Sequence, residues 1–183
     1  MYGLINSALR SMVCEQYGHE TWQQVLETAE LSEEHFFVMK SYPDDITHKI
    51  VNSATQILNL SGYDLMESFG RYWIRYTKTA GYQEIMDMCG ETLPEFLSSL
   101  DDLHTRLGVQ FPKFSPPSFE CNEVSDTTLE LHYRSTRQGL APMVVGLVQG
   151  LGDRFETNVD ITQIADRAQG DDCDTFLIHY DSE

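Results

Sequence analysis

The chain has 183 residues, enough for one domain with a substantial hydrophobic core. Its composition, 41% hydrophobic and 22% charged residues, is typical of a soluble globular protein. The formal net charge of −17 argues against nucleic acid as a partner, because so acidic a surface repels phosphate backbones. No apolar run is long enough to span a membrane, and residues 1–18 do not resemble a signal peptide, so we expect a cytoplasmic protein that does not bind membranes.

The N-terminal half, residues 1–108, is predicted to be helical, because its apolar residues recur at helical spacing. The clearest helix is "TLPEFLSSLDDLHTRLG", where Thr92 and Glu95 form a capping box and Gly108 is predicted to end the helix. Five helical segments are predicted in this half, namely 3–18, 20–31, 43–60, 61–82 and 92–108.

The C-terminal half, residues 109–183, has a different pattern. "FPKFSPPSF" contains three prolines in six residues and predicts a stiff, extended connector. Strands are predicted at 118–124 and 127–135, joined as a hairpin, and again at 158–168 and 174–180, with one helix at 139–155. We therefore predict a single α+β domain, in which a helical half (1–108) is followed by an antiparallel sheet carrying one helix (109–183).

The stretch "LELHYRSTR" contains the first candidate site. Read as a strand, it places Leu129, Leu131, Tyr133, Ser135 and Arg137 on one face. The simple interpretation is a strand whose end leaves the core, with the arginine reaching water. Three hydrogen-bond donors in a row on a buried face also suit an anion, since the arginine fork binds carboxylates in a bidentate manner and no acidic residue shares this face.

His104 is the second candidate. Leu97, Leu100 and Leu107 share its helix face, so the imidazole is expected in apolar surroundings. One interpretation is a core histidine satisfied by a hydrogen bond, and the other is a ligand of metal or haem iron. No second histidine or carboxylate lies at the right spacing on this face, so zinc is not predicted. Asp101 lies one turn earlier and either reaches His104 or faces solvent.

An iron ligand on one element and hydrogen-bond donors for carboxylates on another together suggest haem, which has two propionates. The Y-x-S-x-R motif, the "LDDLH" helix, the following "PPSF" turn and the "FLI" strand near the C-terminus resemble the H-NOX family over the whole chain. These haem nitric oxide/oxygen binding domains are related to the sensor domain of soluble guanylate cyclase. The resemblance is to the stand-alone bacterial type and implies a non-covalent haem b buried between the two halves.

The resemblance implies a role for each matching residue. His104 is expected to bind the iron as the proximal ligand. Without the resemblance, Ile5, Leu147 and Met143 would be interpreted as ordinary core residues. The propionates are expected to contact Tyr133, Ser135 and Arg137. The porphyrin is expected to contact Pro117, Ile5 and Leu147, and Pro117 is expected to distort it. The distal, gas-binding side is expected to contact Trp73 and Met143.

The distal residues predict which gas is bound. Oxygen-binding members of the family carry a distal tyrosine that donates a hydrogen bond to oxygen, and Met143 occupies this position here. A thioether donates no hydrogen bond, so we expect binding of NO and CO and discrimination against oxygen, although the Trp73 indole is a donor. The resemblance implies signalling through loss of the His104–iron bond to a partner in trans, either a histidine kinase or a diguanylate cyclase or phosphodiesterase.

Three alternatives remain open from the sequence: an oxygen-binding haem sensor, a haem enzyme and a colourless scaffold that binds partners. An enzyme is disfavoured because the chain has no G-x-S-x-G, P-loop or H-E-x-x-H motif, and the inferred pocket offers no acid–base groups. The expected protein is a regulatory sensor.

Overall fold

The computed structural model describes residues 1–32, 36–110 and 115–181. The chain divides into two compact units, Met1–Phe69 and Gly70–Glu183. Within the described ranges, no helix is both long enough and apolar enough to cross a bilayer. The helices are α1 Gly3–Tyr17, α2 His19–Thr28, α3 Asp44–Leu58, α4 Gly62–Thr77, α5 Gln83–Asp87, α6 Leu93–Gln110 and α7 Ala141–Arg154. The strands are β1 Ser118–Ser125, β2 Thr128–Arg134, β3 Val159–Ala165 and β4 Asp174–Tyr180.

The first unit is built from helices α1, α2 and α3, which pack on one another. Helix α1 ends as predicted at Gly18, whose φ of 92° is strained for any residue with a side chain. A buried hydrogen bond of 2.7 Å from the Thr47 hydroxyl to Asn6 Oδ1 joins α3 to α1. Ile5 lies half-buried on α1.

Helix α4 continues into a π-helical segment, Lys78–Tyr82, before the short helix α5. Gly81 has a φ of 89° and allows the change of direction between them. The predicted helix at 61–82 covers α4 and this segment, whereas α5 was not predicted. At five residues it is too short to show a helical repeat in its sequence.

The capping box of α6 is confirmed. The Glu95 carboxylate accepts the backbone N–H of Glu91 at 2.8 Å and of Thr92 at 3.3 Å, while the Thr92 hydroxyl accepts the N–H of Glu95 at 3.4 Å. The prediction that Gly108 ends this helix is wrong, because α6 continues to Gln110. Gly108 does not have the positive φ with which a glycine terminates a helix.

The four strands form one antiparallel sheet in the order β1-β2-β4-β3. The predicted hairpin joins β1 to β2 through the turn residues Asp126 and Thr127, and the predicted α+β fold is confirmed. The connector before β1 has no regular structure at 115–117, and its first part, 111–114, lies outside the described residues. The core of the second unit lies among α6, α7 and the inner face of the sheet, and includes Phe96, Leu97, Leu131, Val148 and Phe176.

Candidate functional site

Strand β2 shows the predicted alternation. Leu129 and Leu131 are fully buried, and only 4% of the Tyr133 surface is exposed. The intervening side chains lie on the opposite face, where the Glu130 carboxylate pairs with His132 Nε2 at 2.9 Å. The inner face of β2 therefore carries one phenol at the edge of an apolar core.

Ser135 and Arg137 do not continue this strand, which corrects the sequence interpretation. Strand β2 ends at Arg134. Its partners end there too, since Ser118, the first residue of β1, pairs with Arg134, and β4 begins at Asp174, which pairs with Tyr133. A strand needs neighbouring backbone N–H and C=O groups to remain paired, so the chain turns away beyond this point.

The three residues of the Y-x-S-x-R motif are nevertheless close together. Burial raises the pKa of Tyr133, and hydrogen bonding by the Ser135 side chain opposes this rise. The Ser135 hydroxyl oxygen also accepts the backbone N–H of Arg137 at 3.1 Å. The Arg137 guanidinium donates to the Ser115 carbonyl at 2.9 Å, which holds the connector containing Pro117 beside the motif.

His104 lies on α6, with Leu97 buried and Leu100 and Leu107 half-buried on the same helix face. Burial lowers the pKa of the imidazole, and the negative charge of Asp101 opposes this change. The ring is therefore neutral near pH 7, the form in which histidine binds a metal. Its Nδ1 atom is buried and has no hydrogen-bond partner among the described residues, although His104 makes other interactions.

Phe119 connects the two candidate groups. Its ring stacks on the His104 imidazole at a centroid distance of 5.5 Å and lies 5.2 Å from the Tyr133 ring. Its backbone N–H donates to Asp101 Oδ1 at 3.0 Å. The sequence analysis did not identify Phe119 as a site residue. The signal that could have identified it is its position in the predicted hairpin, where Phe119 pairs directly with Tyr133.

Trp73, Met143 and Leu147 lie on α4 and α7 and are all half-buried. The helices approach closely at Gly70, where an added Cβ would overlap the Met143 carbonyl oxygen and lie 2.8 Å from the Leu147 nitrogen. The Trp73 ring lies 6.2 Å from that of Tyr76. Trp73 is thus held one turn beyond the helix crossing that also positions Met143 and Leu147.

Arg167 is a further residue that sequence reasoning missed. Its guanidinium donates to the Ser135 carbonyl, which brings a second arginine to the Y-x-S-x-R motif. Within the second unit, the structure thus brings Tyr133, Ser135, Arg137 and Arg167 together, with His104 joined to them through Phe119. A neutral imidazole and a cluster of donors of this kind suit a metal-containing ligand that carries carboxylates.

A family model described as Haem-NO-binding matches residues 2–163. Two soluble guanylate cyclases of Caenorhabditis elegans are similar: gcy-31 is 32% identical over 162 residues (88% of this chain, 23% of the relative), and gcy-32 is 33% identical over 167 residues (90% and 24%). The chain thus spans about a quarter of the length of these relatives.

Two solved structures share the fold over the whole of this chain. An H-NOX protein from Shewanella oneidensis in the Fe(II)NO ligation state is matched with a TM-score of 0.90 and 22% identity over 100% of both chains. A variant of T. tengcongensis H-NOX is matched with a TM-score of 0.87 and 16% identity over 98% of its chain. The family match across most of the sequence, together with this shared fold, shows that the chain belongs to the haem-NO-binding, or H-NOX, family.

Proposed function

We propose that this chain is a haem-based gas sensor that binds NO and CO at ferrous iron, discriminates against oxygen and signals to a partner protein. Its membership of the H-NOX family, whose domains bind haem and gases and signal to partners, is the observation that carries the proposal. The sites in the second unit support the finer assignments, each through its own chemistry.

The residues present fit haem b held without a covalent bond. No Cys-x-x-Cys spacing for covalent haem attachment occurs among the four cysteines. His104 provides a neutral imidazole for iron, and the Y-x-S-x-R motif provides hydroxyl and guanidinium donors for carboxylates. The half-buried side chains of Trp73, Met143 and Leu147 retain apolar surface that a porphyrin can cover.

Each residue then has a defined role. His104 would hold the iron from α6, and the motif residues would bind the propionates. Pro117 and Leu147 would pack on the porphyrin, and Pro117 would distort it from its edge. Haem of this type supplies the ferrous iron at which NO and CO bind. The residues proposed for the propionates are Tyr133, Ser135 and Arg137.

Discrimination against oxygen is proposed to come from Met143, in the first turn of α7. Its thioether offers no hydrogen-bond donor, so a bound polar diatomic gains little there, whereas less polar NO and CO lose little. Leu147, one turn later, is equally apolar. The Trp73 indole is a donor, and the proposal requires that it does not stabilise bound oxygen.

Signalling is proposed to act through His104, whose bond to the iron would be weakened or lost on NO binding. His104 stacks on Phe119, whose backbone is hydrogen-bonded to Asp101 on the same helix as His104. A displacement of the imidazole would therefore act directly on the first residues of β1. Such a local change biases a two-state equilibrium only if the partner distinguishes the two arrangements.

The proposed partner is a histidine kinase or a diguanylate cyclase or phosphodiesterase acting in trans. The net charge of −17 is compatible with a basic docking surface on that partner.

The test is a titration of the ferrous protein with NO, followed by absorption spectroscopy and by autophosphorylation of the candidate kinase. We expect a Soret band, conversion to a five-coordinate nitrosyl spectrum and a change in kinase activity. Protein without a Soret band would contradict haem binding, and a stable oxygen-bound spectrum in air would contradict discrimination against oxygen.

His104→Gly supplied with imidazole tests the switch itself. Imidazole would bind the iron without a link to α6, so this variant should produce the NO-state response of the kinase in the absence of NO. His132→Gly is the matched control, because His132 lies on the outer face of β2. If the His104 variant gives the resting response instead, loss of the His104–iron bond is not the switch.

A further inference from the structure

Arg167 contacts the Y-x-S-x-R motif from a different part of the chain. It begins a 3-10 helix, Arg167–Gln169, that follows β3, and it is half-buried. Its Nη1 donates to the carbonyl oxygen of Ser135, 32 residues earlier. Because β2 has already ended, this carbonyl has no strand partner, and the guanidinium supplies its hydrogen bond.

The backbone at Arg167 is fixed independently of this contact. The Asp174 carboxylate is buried, with 8% of its surface exposed, and accepts the Arg167 backbone N–H and the Gln163 side-chain amide, both at 3.1 Å. Asp166 caps the 3-10 helix by accepting the N–H of Ala168 at 2.8 Å. Asp174 is the first residue of β4 and pairs with Tyr133 of β2, so these hydrogen bonds hold the turn that carries Arg167 at this end of the sheet.

The charge of Arg167 is not neutralised by its neighbours. Asp174 binds its backbone rather than its guanidinium, and within the described residues the Arg167 side chain forms no ion pair. An arginine guanidinium has five N–H donors, and in Arg167 the Nη1 atom donates to the Ser135 carbonyl oxygen. The remaining N–H groups of this half-buried guanidinium are available to an anion.

Both arginines act on the same phenol. The pKa of Tyr133 is raised first by burial and then by the negative charge of Asp174, while the positive charges of Arg137 and Arg167 lower it. The two guanidinium groups therefore lie within electrostatic reach of one point. Haem presents two carboxylates, and Arg137 alone provides one positive charge against them.

We propose that Arg167 is a second guanidinium of the carboxylate-binding site, which fixes the Ser135–Arg137 segment and adds a positive charge and further N–H donors for the second haem carboxylate. The inference rests on the proposed function, since it takes haem as the ligand. It assigns to Arg167 both a binding contribution and a positioning contribution through Ser135.

The experiment compares Arg167→Gln, Arg167→Lys and Arg134→Gln by the rate of haem transfer to excess apomyoglobin. Arg134 is the matched control, because it is exposed and pairs with Glu120 at 3.1 Å. We expect Arg167→Gln to accelerate haem loss by about tenfold, the equivalent of one charge-assisted hydrogen bond. Arg167→Lys should accelerate it less, and Arg134→Gln should leave it unchanged.

Iron protoporphyrin dimethyl ester lacks free carboxylates. It therefore separates the loss of carboxylate binding from a general effect of the substitution on the folded protein. Its dissociation should be equally fast from the original protein and from Arg167→Gln. Unchanged haem loss in Arg167→Gln, or equal acceleration with haem and with the ester, would overturn the inference. If Arg167→Gln does not fold, Arg167→Lys decides: faster loss of haem, with unchanged loss of the ester, supports the inference, and unchanged loss of haem overturns it. Failure of the original protein to bind haem would instead contradict the proposed function.

Discussion

The backbone N–H of Phe119 donates a 3.0 Å hydrogen bond to Oδ1 of Asp101. Asp101 lies one helical turn before His104, and the Phe119 ring stacks on the His104 imidazole. One residue of β1 thus contacts α6 through both its backbone and its side chain. These contacts settle the position of the Asp101 carboxylate, which binds the backbone of β1.

Replacing Asp101 by Ala should lower the free energy of unfolding of the haem-free protein by about 1–2 kcal/mol, because the buried Phe119 would lose the acceptor for its N–H. The pKa of His104, which burial lowers and Asp101 raises, should fall further. Asp102→Ala is the control, since this neighbouring carboxylate accepts no hydrogen bond among the described residues. Urea denaturation measures both variants, and equal effects would contradict a specific role for Asp101.

Gly70→Ala should destabilise the protein by about 1–3 kcal/mol, because the added methyl group would overlap the Met143 carbonyl and separate α4 from α7. Gly108→Ala should stabilise it by about 0.5–1 kcal/mol, because Gly108 lies within α6 with open space around its Cβ position. The two substitutions add the same methyl group to different surroundings. The changes in the free energy of unfolding, measured by urea denaturation, should therefore have opposite signs. Destabilisation by both would show that the open space at Gly108 is not decisive.

Met143→Tyr should increase the affinity for oxygen, because it places a hydroxyl donor in the first turn of α7. One hydrogen bond to a partly charged acceptor corresponds to roughly a tenfold slower dissociation of oxygen. Met143→Phe adds a similar ring without the hydroxyl and should give no such effect. Stopped-flow measurement of oxygen dissociation distinguishes them, and identical rates would place Met143 away from the gas-binding side.

Tyr133→Phe should change the dependence of stability on alkaline pH. Burial raises the pKa of the folded phenol above its ordinary value of 10.0, so the folded state retains the proton after the unfolded state has lost it. As pH rises above that value, the unfolded state binds fewer protons and the free energy of unfolding falls. The phenylalanine variant should show a shallower fall in urea denaturation between pH 8 and 11, and an identical fall would contradict burial of this phenol.

The local patterns of the sequence were sufficient for most of the secondary structure. The capping box at Thr92, the glycine that ends α1 and the alternation of Leu129, Leu131 and Tyr133 were all confirmed. Each depends on residues within a few positions of one another, so their physical cause is visible in a short segment. Gly108 was the exception, since glycine permits a helix end without requiring one.

The candidate site was predicted in part. His104 and the Y-x-S-x-R motif were identified from residue type and spacing, and their roles toward haem stay predictions. The motif was predicted as a continuous strand face, yet β2 ends at Arg134 because β1 and β4 provide no partners beyond it. Strand length depends on the pairing of segments that are distant in sequence, which periodicity within one segment cannot show.

The sequence by itself determined most of the helices and the hairpin, and it predicted the types of residue proposed to bind iron and carboxylates. Only the tertiary structure decided that Phe119 lies between His104 and Tyr133, and that Arg167 meets Ser135. These contacts join residues 14 to 32 positions apart in the chain. The contact between Phe119 and Tyr133 follows from the antiparallel register of β1 and β2. The other two contacts depend on how α6 and the 3-10 helix after β3 pack against the sheet, because His104 and Arg167 lie on these helices.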